Sequence, residues 1–209
     1  RINLREGRGA LTGHGGSTIT QQTAKLLCLG KPYKAEVWKS ESQYEANCRQ
    51  SSLWRKLKEA LFAVALELEF TKDEILTLYL NRVFLGAGSR GFQAASQRYF
   101  DKSASALNPA EAAMLAGLLV APSRYAPTNN LLKSQKRANI ILNLMEQQGL
   151  LSSELATFYK ENPAKISIKA SQKAGGHFAD WVMQSAPYFF TSKTTEDVTI
   201  ETTFDPKIQ

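Results

Sequence analysis

The chain is poor in cysteine and histidine and has no long apolar run, and each shortage excludes something. Two cysteines and two histidines in 209 residues rule out a disulfide-dense scaffold and a four-cysteine zinc site. His14 and His177 stand in no metal-ligand spacing, so neither a zinc enzyme nor a Ser-His-Asp hydrolase is expected. Residues 112–123 form the most apolar uncharged stretch, far short of the ~20 apolar residues a membrane span needs. The longer uncharged run 9–24 is mostly Gly, Ser, Thr and Gln. No Ser-x-x-Lys occurs, and Ser17 lies in Gly-Gly-Ser-Thr-Ile, which is not a nucleophile elbow. RGG, RNP and zinc-finger patterns are missing too, and no nucleic-acid partner is expected.

What is present describes a globular protein. Hydrophobic residues make up 43% of the chain, enough for a core and too many for overall disorder. Lys and Arg number 26 against 19 Asp and Glu, a formal charge of +7. That excess points to anionic partners or to a solvated basic surface, and composition does not choose between them. The start, Arg-Ile-Asn-Leu-Arg-Glu, is neither an initiator methionine nor a signal peptide. Both ends read as cut from something longer.

Patterning predicts helices along most of the chain. Residues 1–16 are Gly-rich and read as a loop. A helix is expected over 17–29 with Ser17 or Thr18 as N-cap, then a polar excursion without period over 30–52. Residues 54–70 lack Gly and Pro and are apolar on more than one face, which predicts a central helix. Thr71-Lys-Asp-Glu74 is a capping box opening a helix over 75–84 that stops at Gly86 and Gly88. Further helices are expected over 91–100, over 109–120 behind Asn108-Pro-Ala-Glu111, over 133–148 with Gly149 as C-cap, and over 152–159. Residues 1–162 therefore read as one mainly α domain. Residues 163–209 read as a Lys-, Ser- and Gly-containing linker (163–176) and the start of another unit, with an alternating strand at 198–203.

Two groups of residues carry possible chemistry. Arg55, Lys56 and Glu59 share one helix face, being four and three residues apart. Spacing alone fits a surface ion-pair ladder; on a helix apolar almost all round it also fits a charged cluster facing a cleft, with cations for a phosphate leaving group. Ser17-Thr-Ile-Thr-Gln-Gln22 puts hydroxyls and amides at a helix start behind two glycines, suited to an anion or a sugar hydroxyl or simply to capping. Asn81, in Leu-Tyr-Leu-Asn-Arg, reads as a core hydrogen bond or a cleft group.

At these residues the sequence resembles the peptidoglycan glycosyltransferases of glycosyltransferase family 51, the glycosyltransferase half of class A bifunctional penicillin-binding proteins. Four of that family's five ordered motifs are present in order. Gly15-Gly-Ser-Thr-Ile-Thr-Gln-Gln-Thr-Ala-Lys25 is similar to the second and Arg55-Lys-Leu-Lys-Glu59, running on to Leu66-Glu67, to the third. Lys72-Asp-Glu-Ile-Leu-Thr-Leu-Tyr-Leu-Asn81 with Gly86 is similar to the fourth, and Arg90-Gly-Phe-Gln-Ala-Ala-Ser-Gln-Arg-Tyr-Phe100 to the fifth. Ala110-Glu-Ala-Ala-Met-Leu-Ala-Gly-Leu and Ala121-Pro-Ser-Arg-Tyr extend the likeness, which covers about 15–159. Residues 198–209 are similar to the strand leading into the transpeptidase half. Three departures stand out. The first motif, which carries the Glu taken as general base, is expected upstream of residue 1, so residues 1–209 alone are expected to be inactive. The segment 29–53 is longer than the usual connector. Ser51 stands where members often carry an Arg.

The resemblance implies an α-helical, lysozyme-like fold and a lipid II polymerase of cell-wall synthesis. Such an enzyme joins a sugar 4-hydroxyl to C1 of the growing glycan strand with inversion and releases undecaprenyl diphosphate. It implies Glu59 as the catalytic acidic residue at the leaving group, and Arg55, Lys56 and Lys25 as diphosphate ligands. Ser17, Thr18, Gln21 and Gln22 would line the cleft with support from Asn81; no metal ligand is named, though a Mg or Mn ion at the diphosphate is compatible. The implied partners are lipid II, the glycan strand, the membrane surface and a transpeptidase domain of the same chain, at the outer (periplasmic) face of the cytoplasmic membrane. There disulfides persist, and Cys28 and Cys48, with 19 residues between them, are a candidate bridge whose closure is worth about 3 kcal/mol. A lysozyme-like glycan hydrolase and a silent helical binding module are the alternatives.

Overall fold

The computed structural model describes residues 17–34, 36–50 and 52–171. Among them there are α-helices, two short 3-10 turns and no strand beyond one antiparallel bridge between Phe84 and Arg90. The mainly α reading therefore holds. The Gly-rich start, His14, His177 and the strand expected at 198–203 lie outside the described residues.

Most of the helices begin at a side-chain cap. Thr18 caps α1 (Ile19–Leu26) with a capping box to Gln21. A 3-10 turn (Cys28–Gly30) follows. The excursion expected to be irregular holds a helix, α2 (Glu41–Arg49), capped by Ser40; its polar composition hid the period. Ser52 caps α3 (Leu53–Glu69), and Thr71 with Glu74 forms the expected capping box on α4 (Lys72–Arg82). Next come α5 (Phe92–Phe100) and α6 (Pro109–Leu118), the latter with Asn108 and Glu111 in a capping box and Pro at its first turn. The described residues end with α7 (Pro122–Tyr125), α8 (Leu131–Gln147), α9 (Ser153–Glu161) and α10 (Ile168–Ser171). Gly149, at φ 71°, turns the chain out of α8 in the left-handed conformation that glycine adopts without steric cost.

The main core gathers on α6. Ala110, Ala113, Met114, Leu115 and Leu118 of that helix are buried with Tyr99 and Phe100 of α5 and Ala138 and Leu142 of α8. Burying each large side chain is worth roughly 1.5–3 kcal/mol. Gly117 lets α8 approach closely, since a Cβ there would meet Arg137 Cγ at 2.9 Å. Tyr99 is fully buried, donates its hydroxyl to the Leu85 carbonyl at 2.9 Å, and burial pushes that hydroxyl's pKa up to about 12.

Two expectations change at this level. The helix enclosed on most sides is α6, whereas α3 buries only one stripe, Glu59, Ala63 and Leu66. Its Leu53, Leu57, Leu61, Val64 and Leu68 are exposed, Leu68 to 84%. The reason is composition: small Ala and Gly residues let neighbours close around α6, whereas the bulky residues of α3 lie outside the stripe that it buries. The domain edge also moves. Ala164 and Ile166 join the main core, Gln135 donates to the Ala164 carbonyl at 2.9 Å and Ser167 N–H to Tyr99 O at 2.8 Å. The start of the expected linker is thus docked on the helical domain by apolar burial and satisfied backbone.

Between α4 and α5 the chain turns tightly. Ser89 N–H donates to Gly86 O, Leu85 N–H to Ser89 O, and Gly91 N–H to Val83 O at 2.8 Å. Gly91 has φ +82°, and a Cβ there would sit 2.6 Å from the Asn81 carbonyl oxygen. Gly88 has φ +77° with nothing within 4 Å of such a Cβ. Gly88→Ala is therefore expected to cost only the left-handed backbone penalty, about 1–2 kcal/mol. Gly91→Ala adds a backbone clash and should lower the melting temperature by at least twice as much in a thermal unfolding comparison of the two variants.

Candidate active site

The site forms where the start of α1 lies against the first half of α3. Packing of Thr20, Thr23 and Ala24, all buried, against the buried stripe of α3 brings the two helices together. Glu59 falls on that stripe and is 2% exposed. Its Oε2 receives Lys56 Nζ at 3.0 Å, and its Oε1 faces Arg55 Nη2 at 3.3 Å. A buried carboxylate left without cations would cost several kcal/mol; in this site two share it. The expected ladder is thus no fully solvated one. Lys56 is half exposed and also donates to Ser17 Oγ, so the residue before the α1 cap is tied to the cluster.

Arg55 is held from its other side as well. Its Nη1 donates to the Cys48 carbonyl at 2.5 Å, while its Nε is buried without a hydrogen-bond partner. Cys48 is disulfide-bonded to Cys28, with Cα atoms 5.2 Å apart. Cys28, Leu29 and Gly30 all have left-handed φ, at 51°, 55° and 73°. For the two non-glycine residues that conformation costs about 1–2 kcal/mol each.

Beside the cluster, Thr18, Thr20, Gln21, Ala60, Ala63, Val64, Glu67 and Leu68 line a cavity of about 340 Å³. Thr18 and Gln21 were candidate site residues; Thr20 and Glu67 were not. Glu67 lies on α3 beyond Glu59, about 12 Å along the axis at 1.5 Å per residue. It accepts from Lys72 Nζ and from Thr20 Oγ1, and those two hydrogen bonds, the lysine's first, hold its pKa below the usual carboxylate range. A second carboxylate two turns on from Glu59 was the available signal.

The remaining candidates are placed as follows. Gln22 is exposed; its amide oxygen accepts from Tyr79 OH and its amide nitrogen donates to Ser17 O, each at 3.4 Å. Lys25 is half-buried in the last turn of α1, where a cation suits the helix dipole. Asn81 is exposed near the end of α4, so it is not the core hydrogen-bonding group its apolar neighbours suggested. What it contributes to the packing is its backbone carbonyl against Gly91.

One Glu against an Arg and a Lys leaves the cluster a net positive charge, next to hydroxyls and amides at a helix start. The chain belongs to the transglycosylase family, whose model matches residues 3–146. It is 36% identical to penicillin-binding protein 1A of Aquifex aeolicus over 87% of this chain and 22% of that protein. It is 35% identical to penicillin-binding protein 2D of Bacillus subtilis over 87% of this chain and 23% of that one. To penicillin-binding protein 1A of Pseudomonas aeruginosa the identity is 39% over 73% of this chain and 16% of the relative. The crystal structure of penicillin-binding protein 1A from Haemophilus influenzae overlaps 54% of this chain and 17% of that one at 36% identity, with a TM-score of 0.43. The chain thus spans less than a quarter of the length of these curated relatives.

Because the Glu67 pKa is lowered in the folded state, the stability it contributes is present above the ordinary carboxylate pKa and is lost as pH falls through the folded value. Lys72→Ala should raise the Glu67 pKa toward the usual range, and Thr20→Val should raise it less. Carboxyl titration followed by NMR reads both, and an unchanged value in Lys72→Ala contradicts the assignment.

Proposed function

We propose that this chain is the polymerising domain of a peptidoglycan glycosyltransferase acting on lipid II at the outer face of the cytoplasmic membrane, next to a transpeptidase domain. The observation that carries the reading is a carboxylate, Glu59, 2% exposed between Arg55 and Lys56. The acceptor's 4-hydroxyl attacks C1 of the donor, the bond from C1 to the diphosphate oxygen breaks, and the hydroxyl proton passes to a base. Negative charge grows on the diphosphate as it leaves. Cations already fixed beside it stabilise that charge more in the transition state than in the ground state.

Each residue has a proposed part. Lys56, half exposed, swings from Glu59 toward a diphosphate oxygen at small cost. Arg55, tied to a backbone carbonyl, stays put as a fixed donor. Glu59 orients both cations, its Oε2 accepting from Lys56 and its buried Oε1 facing Arg55 Nη2 at 3.3 Å. Ser17, Thr18, Gln21 and Gln22 offer hydroxyls and amides to the sugars, with Lys25 as a further cation on the same helix.

The donor set does not fit a protein-held divalent cation: among the described residues no three or more His, Cys, Asp or Glu converge, and two cations already face Glu59. No step is therefore routed through a metal. No helix among the described residues is long and apolar enough to cross a membrane. A glycan-cleaving hydrolase works on an uncharged bond and has no use for an excess of positive charge at its acid.

In the full-length protein, Glu59→Gln should reduce lipid II polymerisation by ~10²–10⁴-fold with its circular dichroism spectrum retained and its melting temperature lowered by the lost charge pairing. Release of undecaprenyl diphosphate together with chain lengthening is the readout. Shortening of preformed glycan without diphosphate release would instead support the hydrolase, and near-normal turnover of the variant would reduce Glu59 to an ion-pair residue.

A further inference from the structure

We infer that the disulfide-closed segment 28–48 is a positioning element of the active site: through its backbone carbonyl, Cys48 holds the Arg55 guanidinium against Glu59. The inference rests on the reading of Arg55 and Glu59 as the diphosphate-side machinery.

The contact has a physical basis on both sides. Cys48 lies in the last turn of α2, where carbonyl oxygens lack partners within the helix and the dipole presents negative charge. A guanidinium satisfies both, and Arg55 Nη1 donates there at 2.5 Å while its Nη2 faces Glu59 Oε1 at 3.3 Å. With Nε buried and unpartnered, these two contacts are what orient the fork. The end of α2 is in turn fixed by the bridge to Cys28, which follows directly on α1 and its capped start.

The segment also carries contacts of its own. Tyr44 packs edge-on against Tyr33 and Trp38, with ring centroids 5.7 and 5.9 Å apart, and donates its hydroxyl to Lys31 O. On the other side of the bridge, Cys28 and Leu29 hold left-handed backbone that persists only where surrounding structure over-determines it. Opening the bridge removes one of those constraints and lets the turn and the end of α2 move apart. Arg55 then loses its carbonyl and Glu59 its better-ordered cation. Both cysteines are half-buried, within reach of a small reductant. The site is therefore complete in an oxidising compartment and impaired in a reducing one.

The test uses the full-length protein, oxidised or reduced with a phosphine, and the Cys28→Ser/Cys48→Ser double variant, each also in an Arg55→Ala background. Reduction should lower kcat for lipid II polymerisation by about 10- to 100-fold with a smaller change in KM, the size expected for a displaced catalytic group. In the Arg55→Ala background the same treatment should change kcat by less than about twofold, because the two losses share one contact. Losses that multiply in full would mean that the bridge acts through general stability, and would overturn the inference; so would unchanged kcat on reduction of the otherwise wild-type protein. Should the double cysteine variant fail to fold, chemical reduction with and without Arg55→Ala carries the same decision. Binding of inorganic pyrophosphate by calorimetry separates this inference from the functional reading. If the oxidised protein does not polymerise lipid II, the functional reading fails. Tighter pyrophosphate binding by the oxidised than by the reduced form still supports the positioning role, and equal binding overturns it.

Discussion

Withdrawing the Glu59 carboxylate to 2% exposure costs several kcal/mol unless cations answer it at close range, and much of the N-terminal half of the described structure is arranged to supply them. Arg55 and Lys56 come from the same helix one turn earlier. Each is held by something outside that helix: Lys56 by Ser17 before α1, Arg55 by the Cys48 carbonyl at the end of α2. One buried charge thus ties together three segments, two of which, α1 and α3, also share apolar packing. The second core cluster, Ala24, Leu66 and Ile75 with Leu27, Leu29 and Phe62, is small, so polar links matter more there than in the Leu- and Ala-rich cluster around α6.

The division of labour between the two clusters is physical. Around α6, close approach of small residues gives a well-filled core in which no cavity is needed. Around α1 and α3, the stripe Glu59, Ala63 and Leu66 leaves room, and the cavity of about 340 Å³ opens there. Two hydroxyls, the Gln21 amide, four apolar side chains and a second carboxylate, Glu67, line it, while the cations Arg55 and Lys56 stand beside it on Glu59.

Much of the architecture was legible in the residues. Capping boxes at Thr71–Glu74 and Asn108–Glu111 mark helix starts because their side chains satisfy N–H groups that no other local arrangement can. Gly86, Gly88 and Gly149 mark ends because only glycine takes left-handed φ without a steric penalty. The motifs around Ser17 and Arg55-Lys-Leu-Lys-Glu59 were visible for the same reason: i, i+3 and i, i+4 spacing is a local property of a helix. What stayed hidden was nonlocal or weakly patterned. The polar helix α2 has no apolar period to read, and the docking of Ala164 and Ile166 depends on a groove made by other helices.

Sequence alone therefore determined the helical class, most helix starts, and the local triplet of Arg55, Lys56 and Glu59, since caps, breakers and side-chain spacing act over a few residues. The tertiary structure decided which faces are buried. It made α6 rather than α3 the enclosed helix, drew Thr20 and Glu67 into the cavity wall, and left Asn81 exposed. It also brought the Cα atoms of Cys28 and Cys48 to 5.2 Å and set the Cys48 carbonyl on Arg55. Burial and hydrogen bonding between segments far apart in sequence are set by how the helices pack, and no local pattern encodes that.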